Sequence, residues 1–389
     1  MRRVCVITGS RADYGLLAPT MRALDAHTDY DLKVIVSAMH LSPLYGDTIQ
    51  EIEADGFTID ARVPMLSDDN SPKGIVKSMA KGLTGFADAL SEIQPDLVMV
   101  LGDRFEALVA AQAAATMSMP IAHLHGGELT FGAIDESYRH AITKLSHLHF
   151  TSTDEYRRRV IRMGEQPQNC YNVGATAIEA IKILPLMELK SLSKSIGFDL
   201  TNKFFIVTYH PVTQGNSPDG EALKSLLSAL DAFPDYRVLI TFPNADAQSA
   251  LLIEILENYV ASNKERSYLT PSLGHHRYLS AASLAKACIG NSSSGILEMP
   301  ALGTPTVNIG TRQQGRICAS SIIHTNNHTA DIVKTIKQAL SNDAQTNAAL
   351  KQSPYGDGTT SSQILDVLNS TDFSSLKPKY FYDGDDNAS

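Results

Sequence analysis

Three short strings gather acidic side chains beside glycine or imidazole: GDRFE from 102, HGGE from 125 and DESYRH from 135. Asp103, Glu128 and Asp135, with His125 and His140 near them in sequence, are the residue types that take and return protons. Carboxylates divide into acid and base when their environments differ. Glu128 is the most informative, because a Gly-Gly step lets the backbone approach a ligand and an acid placed there is expected to face the cleft rather than the core. Ordinary structural roles stand beside the catalytic ones: Asp103 suits a helix N-cap, and Asp135 with Arg139 suits a first-turn acid and its i+4 partner. His210, in YHPVT, ends an apolar run and precedes Pro211, so its ring projects from a strand end.

A second set of residues suits anion binding. In IGNSSSGILE a strand runs into Asn291, Ser292, Ser293, Ser294 and Gly295, and a helix carrying Glu298 follows. Hydroxyls and N–H groups at a helix N-terminus bind phosphate, although a single serine there is an ordinary cap. GTRQQGR adds Arg312 and Arg316, whose guanidinium groups grip phosphate oxygens in pairs. With Arg11 and Arg104 they place cations at strand ends of an acidic chain, which points to a small polyanion such as a nucleotide diphosphate. The first strand ends in ITGSRADYG and lacks both GxGxxG and GxxxxGK[ST], so neither dinucleotide binding nor a P-loop is indicated. No metal site is expected: His123 and His125 share a strand face and His275 and His276 are adjacent, but no carboxylate sits at a ligand spacing.

These residues recur just after short β-branched runs, each followed by an Ala- and Leu-containing helical pattern, which is the grammar of a parallel α/β protein with ligands at the carboxyl ends of its strands. Strands are predicted at 4–9, 31–38, 96–102, 120–125 and 147–152, then at 204–210, 236–243, 287–293 and 304–310. The 389 residues are enough for two such domains. We place the first, carrying the acids, at 1–172 and the second, carrying the anion cluster, at 173–389, with a final helix near 360–371. A net charge of -9 argues against a nucleic-acid partner. No apolar run is long enough to span a membrane. The N-terminus enters turn chemistry too early for a signal peptide, and the four cysteines form no CxxC pair, so a cytoplasmic protein with reduced thiols is expected.

Taken in order, GSRADYG, GDRFE, HGGE, DESYRHAITKLSHLH, YHPVT, FPNAD, IGNSSSG and GTRQQGR make the chain resemble the hydrolysing UDP-N-acetylglucosamine 2-epimerases of bacterial sialic acid biosynthesis. The resemblance implies the glycosyltransferase-B fold, two Rossmann-like domains facing across a cleft, with the last helix packed back on the first domain. It implies no cofactor, and a homodimer or homotetramer. Ser292 and Ser293 would take the diphosphate, with Ser294 and Gly295 beside them. Glu298 would meet the ribose, Arg312 and Arg11 the phosphates or ribose, the backbone around Leu273 the uracil, and Asn244 the nucleotide edge. Gly15 stands where some members carry Ser.

The implied reaction converts UDP-N-acetylglucosamine and water to UDP and N-acetylmannosamine by anti elimination to 2-acetamidoglucal and rehydration. Glu128 and Asp103 would share the proton transfers with Asp135 assisting, Arg104, Arg139 and Arg316 would contact substrate, and His210 would face the leaving phosphate as acid or positive partner. Rival expectations are the same reaction on UDP-2,4-diacetamido-2,4,6-trideoxyglucose, a UDP-sugar glycosyltransferase, and a silent nucleotide-sugar sensor.

Overall fold

Buried β-branched runs flanked by helices form two wholly parallel sheets in the computed structural model, which describes residues 1–43, 46–67, 69, 71–130, 134–200, 203–211, 219–243 and 249–384. The chain divides into two compact units, one built from Met1–Ala180 with Tyr355–Ser389 and the other from Ile181–Pro354. The first division falls inside the helix Thr176–Ile183, and the end of the chain belongs to the first unit.

In the first unit the strands are β1 (Arg2–Thr8), β2 (Tyr30–Ser37), β3 (Ala61–Val63), β4 (Leu97–Leu101), β5 (Ile121–Leu124), β6 (Leu148–Thr151) and β7 (Cys170–Asn172). Their order is β3-β2-β1-β4-β5-β6-β7. The direction of winding reverses between β1 and β4, and such a reversal opens a crevice beyond the strand ends. Successive residues of β1 feed opposite cores: Val4 and Val6 pack on one face of the sheet, Cys5 and Ile7 on the other. Helices therefore cover both faces, and the central strands read as continuous apolar runs without alternation.

One of these cores is closed by the end of the chain. Ile364 and Leu368 of the helix Thr360–Ser370, with Phe373 and Leu376 beyond it, pack with Leu17 and Met21 of the helix Arg11–Asp25. Arg2 seals the contact by donating to the Leu368 carbonyl at 2.6 Å.

The second unit repeats the plan with β8 (Phe204–Thr208), β9 (Arg237–Thr241), β10 (Ser267–Thr270), β11 (Ala287–Gly290), β12 (Thr306–Ile309) and β13 (Ile322–Thr325) in the order β10-β9-β8-β11-β12-β13. Its reversal lies between β8 and β11. There Gly290 has φ +143°, and a Cβ on it would come within 1.9 Å of the Thr208 carbonyl oxygen, so only glycine lets the two strand ends meet. Among the described residues no helix is long and apolar enough to cross a membrane.

Candidate functional site

The residues singled out by their sequence fall into two clusters, each at the carboxyl edge of its sheet. In the first unit the loop after β4 carries Asp103 and Arg104, the loop after β5 carries Glu128, and the helix Ile134–Leu145 carries Asp135 and Arg139. Arg139 is only 3% exposed and is turned inward. Its guanidinium donates to an Asp103 carboxylate oxygen, to Thr130 Oγ1 at 3.0 Å and to the Glu128 carbonyl at 2.9 Å. Arg139 thus fixes two of the three acids from beneath, an organising position where the sequence had suggested substrate contact.

Glu128 is buried, and its Oε1 accepts from Ser152 Oγ at 2.7 Å and lies 2.9 Å from His125 Nδ1. Asp135 stands in the first turn of its helix, close enough to Arg104 to act on its charge. Burial works against the Arg104 charge, but Glu106, Asp13 and Asp135 outweigh it and raise its pKa.

Glu106 is a residue that its place after a strand, in GDRFE, singles out without giving it a role. It is 3% exposed and accepts from Arg104 Nε at 2.6 Å, while its Oε2 has no hydrogen-bond partner among the described residues. Burial raises its pKa and Arg104 opposes the rise. Arg11, by contrast, begins the helix Arg11–Asp25 and pairs with Glu51 at 3.0 Å on an open surface.

In the second unit Asn291, 0% exposed, ties two loops together. Its side chain accepts from the His210 N–H at 2.7 Å and donates to the His210 carbonyl at 2.8 Å. Its own carbonyl accepts from Arg312 at 3.1 Å and from Gln313 at 2.9 Å. His210 and Arg312 are thereby held on one residue at the end of β11. Burial, helped by the Arg312 charge, pushes the His210 imidazole down to about 4, so at neutral pH the unliganded ring is an uncharged hydrogen-bonding group and not a cation.

Ser292 and Ser293 follow Asn291 and lead into the short helix Ser294–Leu297, with Gly295 packed against the Thr306 side chain. Ser294 Oγ donates to Glu298 and accepts from the Tyr278 hydroxyl at 2.9 Å. Burial raises the Glu298 pKa, opposed by the Ser294 bond and by His275. Arg316 is partly exposed beyond Arg312, and Leu273 is buried at the entry to the helix Gly274–Leu284. Asn244 lies outside the described residues. Among those described, no group of three histidine, cysteine or acidic side chains is arranged to hold a metal ion.

Two separate clusters, one of carboxylates and one of serine, arginine and imidazole groups, suit proton transfer and anion binding respectively. Comparison with known proteins identifies the family. Residues 22–369 match the UDP-N-acetylglucosamine 2-epimerase family. A GDP/UDP-N,N'-diacetylbacillosamine 2-epimerase (hydrolyzing) of Campylobacter jejuni is 39% identical over 322 residues, 83% of this chain and 84% of that one. The UDP-N,N'-diacetylbacillosamine 2-epimerase (hydrolyzing) of Legionella pneumophila is 33% identical, covering 95% of this chain and 96% of its own. The crystal structure of a Neisseria meningitidis UDP-GlcNAc 2-epimerase bound to UDP-GlcNAc superposes with a TM-score of 0.80 at 20% identity, over 95% of this chain and 100% of that one. The two parallel α/β domains have the glycosyltransferase-B fold, and the chain belongs to the UDP-N-acetylglucosamine 2-epimerase family.

Proposed function

We propose that the protein is a hydrolysing 2-epimerase of a UDP-linked 2-acetamido sugar. The observation that carries the reading is the organised set of carboxylates in the first unit, with Asp103 and the Glu128 backbone both gripped by the buried Arg139. A glycosyltransferase working by direct displacement needs a single base for its acceptor hydroxyl, whereas taking a proton from C2 and returning one on the opposite face calls for more than one such group; a silent sensor needs none.

The chemistry makes specific demands. The C2 hydrogen of a 2-acetamido sugar is not alpha to a carbonyl, so its removal is coupled to departure of the nucleotide. The C2–H pair becomes the C1=C2 bond, the C1–O pair leaves with the diphosphate, and the proton passes to a carboxylate. Water then adds its hydroxyl to C1 while a proton returns to C2 on the opposite face, giving the epimerised free sugar and UDP. Glu128 and Asp103 share these transfers with Asp135 assisting. Ser292, Ser293, Arg312 and neutral His210 take the diphosphate, whose charge grows as the bond breaks. His210 donates a hydrogen bond to a phosphate oxygen, and Glu298 meets the ribose. No step calls for a cofactor.

The sugar we favour is N,N'-diacetylbacillosamine, on the strength of the Campylobacter and Legionella relatives. UDP-N-acetylglucosamine is the second reading, supported by a meningococcal UDP-N-acetylglucosamine 2-epimerase that is 32% identical over 88% of this chain. Incubation with each sugar nucleotide, UDP- and GDP-linked, in deuterated water under proton and phosphorus NMR tests both. Free nucleoside diphosphate with a C2-deuterated, epimerised sugar supports the reading and names the substrate. Intact epimerised nucleotide sugar means the non-hydrolysing reaction, and no turnover of any of them rejects the proposal.

A further inference from the structure

The turn that carries Glu128 is bent in a way its composition does not require. His125 directly follows β5 and has φ +65°, and Gly127 two residues on has φ +78°. The left-handed region is natural for glycine and uncommon for a residue with a Cβ, so an imidazole held there marks a constraint worth a functional explanation. The His125 N–H still continues the sheet, donating to the Phe150 carbonyl at 2.8 Å. The left-handed step after it folds the ring back along its own loop, where Nδ1 lies 2.9 Å from Glu128 Oε1.

The other edge of the ring bears on which nitrogen carries the proton. His125 Nε2 is 3.4 Å from the Thr176 backbone N–H and 3.1 Å from Thr176 Oγ1. A backbone N–H can only donate, so Nε2 accepts and the single ring proton sits on Nδ1, pointed at Glu128. Ser152 donates to the same carboxylate oxygen, and Ser152 and Thr176 are both fully buried. The ends of β5 and β6 and the start of the helix Thr176–Ile183 therefore converge on one carboxylate.

We propose that His125 is a positioning residue for proton transfer at C2 of the sugar: Thr176 locks it in the neutral Nδ1–H tautomer, and in that form it orients Glu128 and holds it as an ionised proton acceptor. Hydrogen bonds to a carboxylate favour its charged form, and a partner behind a reacting group fixes that group's direction. The charged groups around the turn are consistent with an ionised Glu128. Arg139 and Arg159 grip the carbonyls of Glu128 and Gly127, Asp103 is neutralised on Arg139, and Glu136 accepts from the Thr130 N–H. In the reaction the C2 proton moves to Glu128 and His125 exchanges none.

The inference rests on the 2-epimerase reading, and two variants separate it from a merely structural role. Glycine removes the ring and relieves the left-handed turn; asparagine tolerates that turn and returns an N–H near the place of Nδ1. His125→Gly is expected to lower kcat at neutral pH by about tenfold or more, with KM within about twofold, and to move the acid limb of the kcat profile upward by about one pH unit. His125→Asn is expected to recover most of the rate and return the limb. A glycine variant with unchanged kcat and limb overturns the proposal, and so does an asparagine variant as impaired as the glycine one.

A substrate-free measurement keeps the two readings apart. Nitrogen-15 NMR of protein labelled at histidine, with His125 identified by the signal lost in His125→Gly, should show a neutral ring protonated at Nδ1 at pH 7. An Nε2-protonated ring or an imidazolium overturns the proposal even if the enzyme turns over. A wild-type protein that converts no sugar nucleotide overturns the 2-epimerase reading, and with it the role at C2, whatever the spectrum shows.

Discussion

Asn291 brackets the backbone of His210, accepting from its N–H at 2.7 Å and donating to its carbonyl at 2.8 Å, so a side chain does at the end of β8 what a neighbouring strand does along its length. The same residue holds Arg312 and Gln313 through its own carbonyl. Asn291→Ala removes the side chain that bonds both backbone groups of His210, and the loss of such a partner from a buried group costs about 1–3 kcal/mol. Urea unfolding should show a loss of about 2–5 kcal/mol, and calorimetric titration should show UDP binding weakened at least tenfold. Unchanged UDP affinity would mean that the clasp does not position the anion site.

Arg139 is the corresponding organiser of the acids. Arg139→Met keeps the bulk but strips Asp103 and the Glu128 carbonyl of their donor. Breaking a buried ion pair from one side costs about 3–5 kcal/mol, and partial exposure of Asp103 reduces this to about 2–3 kcal/mol. Activity should fall by about a hundredfold or more, mostly in kcat. Asp103→Asn combined with Arg139→Met should be far less than additive in stability, and a double-mutant cycle that closes to zero would sink this account.

Glu128→Gln preserves the shape of the carboxyl group while removing its basicity. Deuterium incorporation at C2 should fall by about a thousandfold or more, in the range expected for loss of a general base. UDP should bind as before, because Glu128 belongs to the first unit's cluster. If exchange survives within a few fold, Asp103 is the better candidate for the base.

Acid should destabilise the protein through its buried imidazoles. His123 is 0% exposed, and burial pushes its pKa down to about 3. Its unfolded value is near the ordinary ~6.5, so between the two the unfolded chain binds the extra proton. The stability this group supplies is complete above about pH 6.5 and is lost progressively as the pH falls toward about 3. The slope is at most about 1.4 kcal/mol per pH unit. Urea midpoints measured from pH 7 to pH 5 should fall, and His123→Gln should flatten that fall; an unaltered slope would show that the ring titrates normally in the folded state.

Two glycines make a matched test of packing. Gly290→Ala puts a methyl group 1.9 Å from the Thr208 carbonyl oxygen at φ +143°, and should prevent the second unit from folding stably. Gly15 has nothing within 4 Å of its added Cβ and sits in the helix Arg11–Asp25, so Gly15→Ala should gain about 0.5–1 kcal/mol in thermal or urea unfolding.

The interior strands were legible in the sequence because each is buried on both faces and writes a continuous apolar run. The nine predicted strands are the central strands of the two sheets, each found within a few residues. The other four strands, β3, β7, β10 and β13, are the four sheet edges, and of them only β7 leaves a trace in the sequence, the short extended piece YNVG from 171. Their sequences, ARV, CYN, SYLT and IIHT, are short and only partly covered, so they carry half the apolar signal of a central strand. The acids were visible because glycine and strand ends flank them. Their linkage was not: Arg139 beneath Asp103, and His125 and Ser152 on Glu128, depend on contacts between segments up to 36 residues apart. The HGG string did hold the one local hint, a turn prone to left-handed geometry.

The core that joins Leu17 and Met21 to Ile364 and Leu368 has a consequence for biosynthesis. The segment Ile181–Pro354 is continuous and can close its own core while the ribosome is still translating. The first unit, though begun earlier, must wait for the helix Thr360–Ser370 to emerge before Arg2 meets the Leu368 carbonyl. The half of the chain made first is thus the half finished last, and a nascent protein stalled short of Leu368 would hold a completed second unit beside a first unit whose apolar face still lacks its cover.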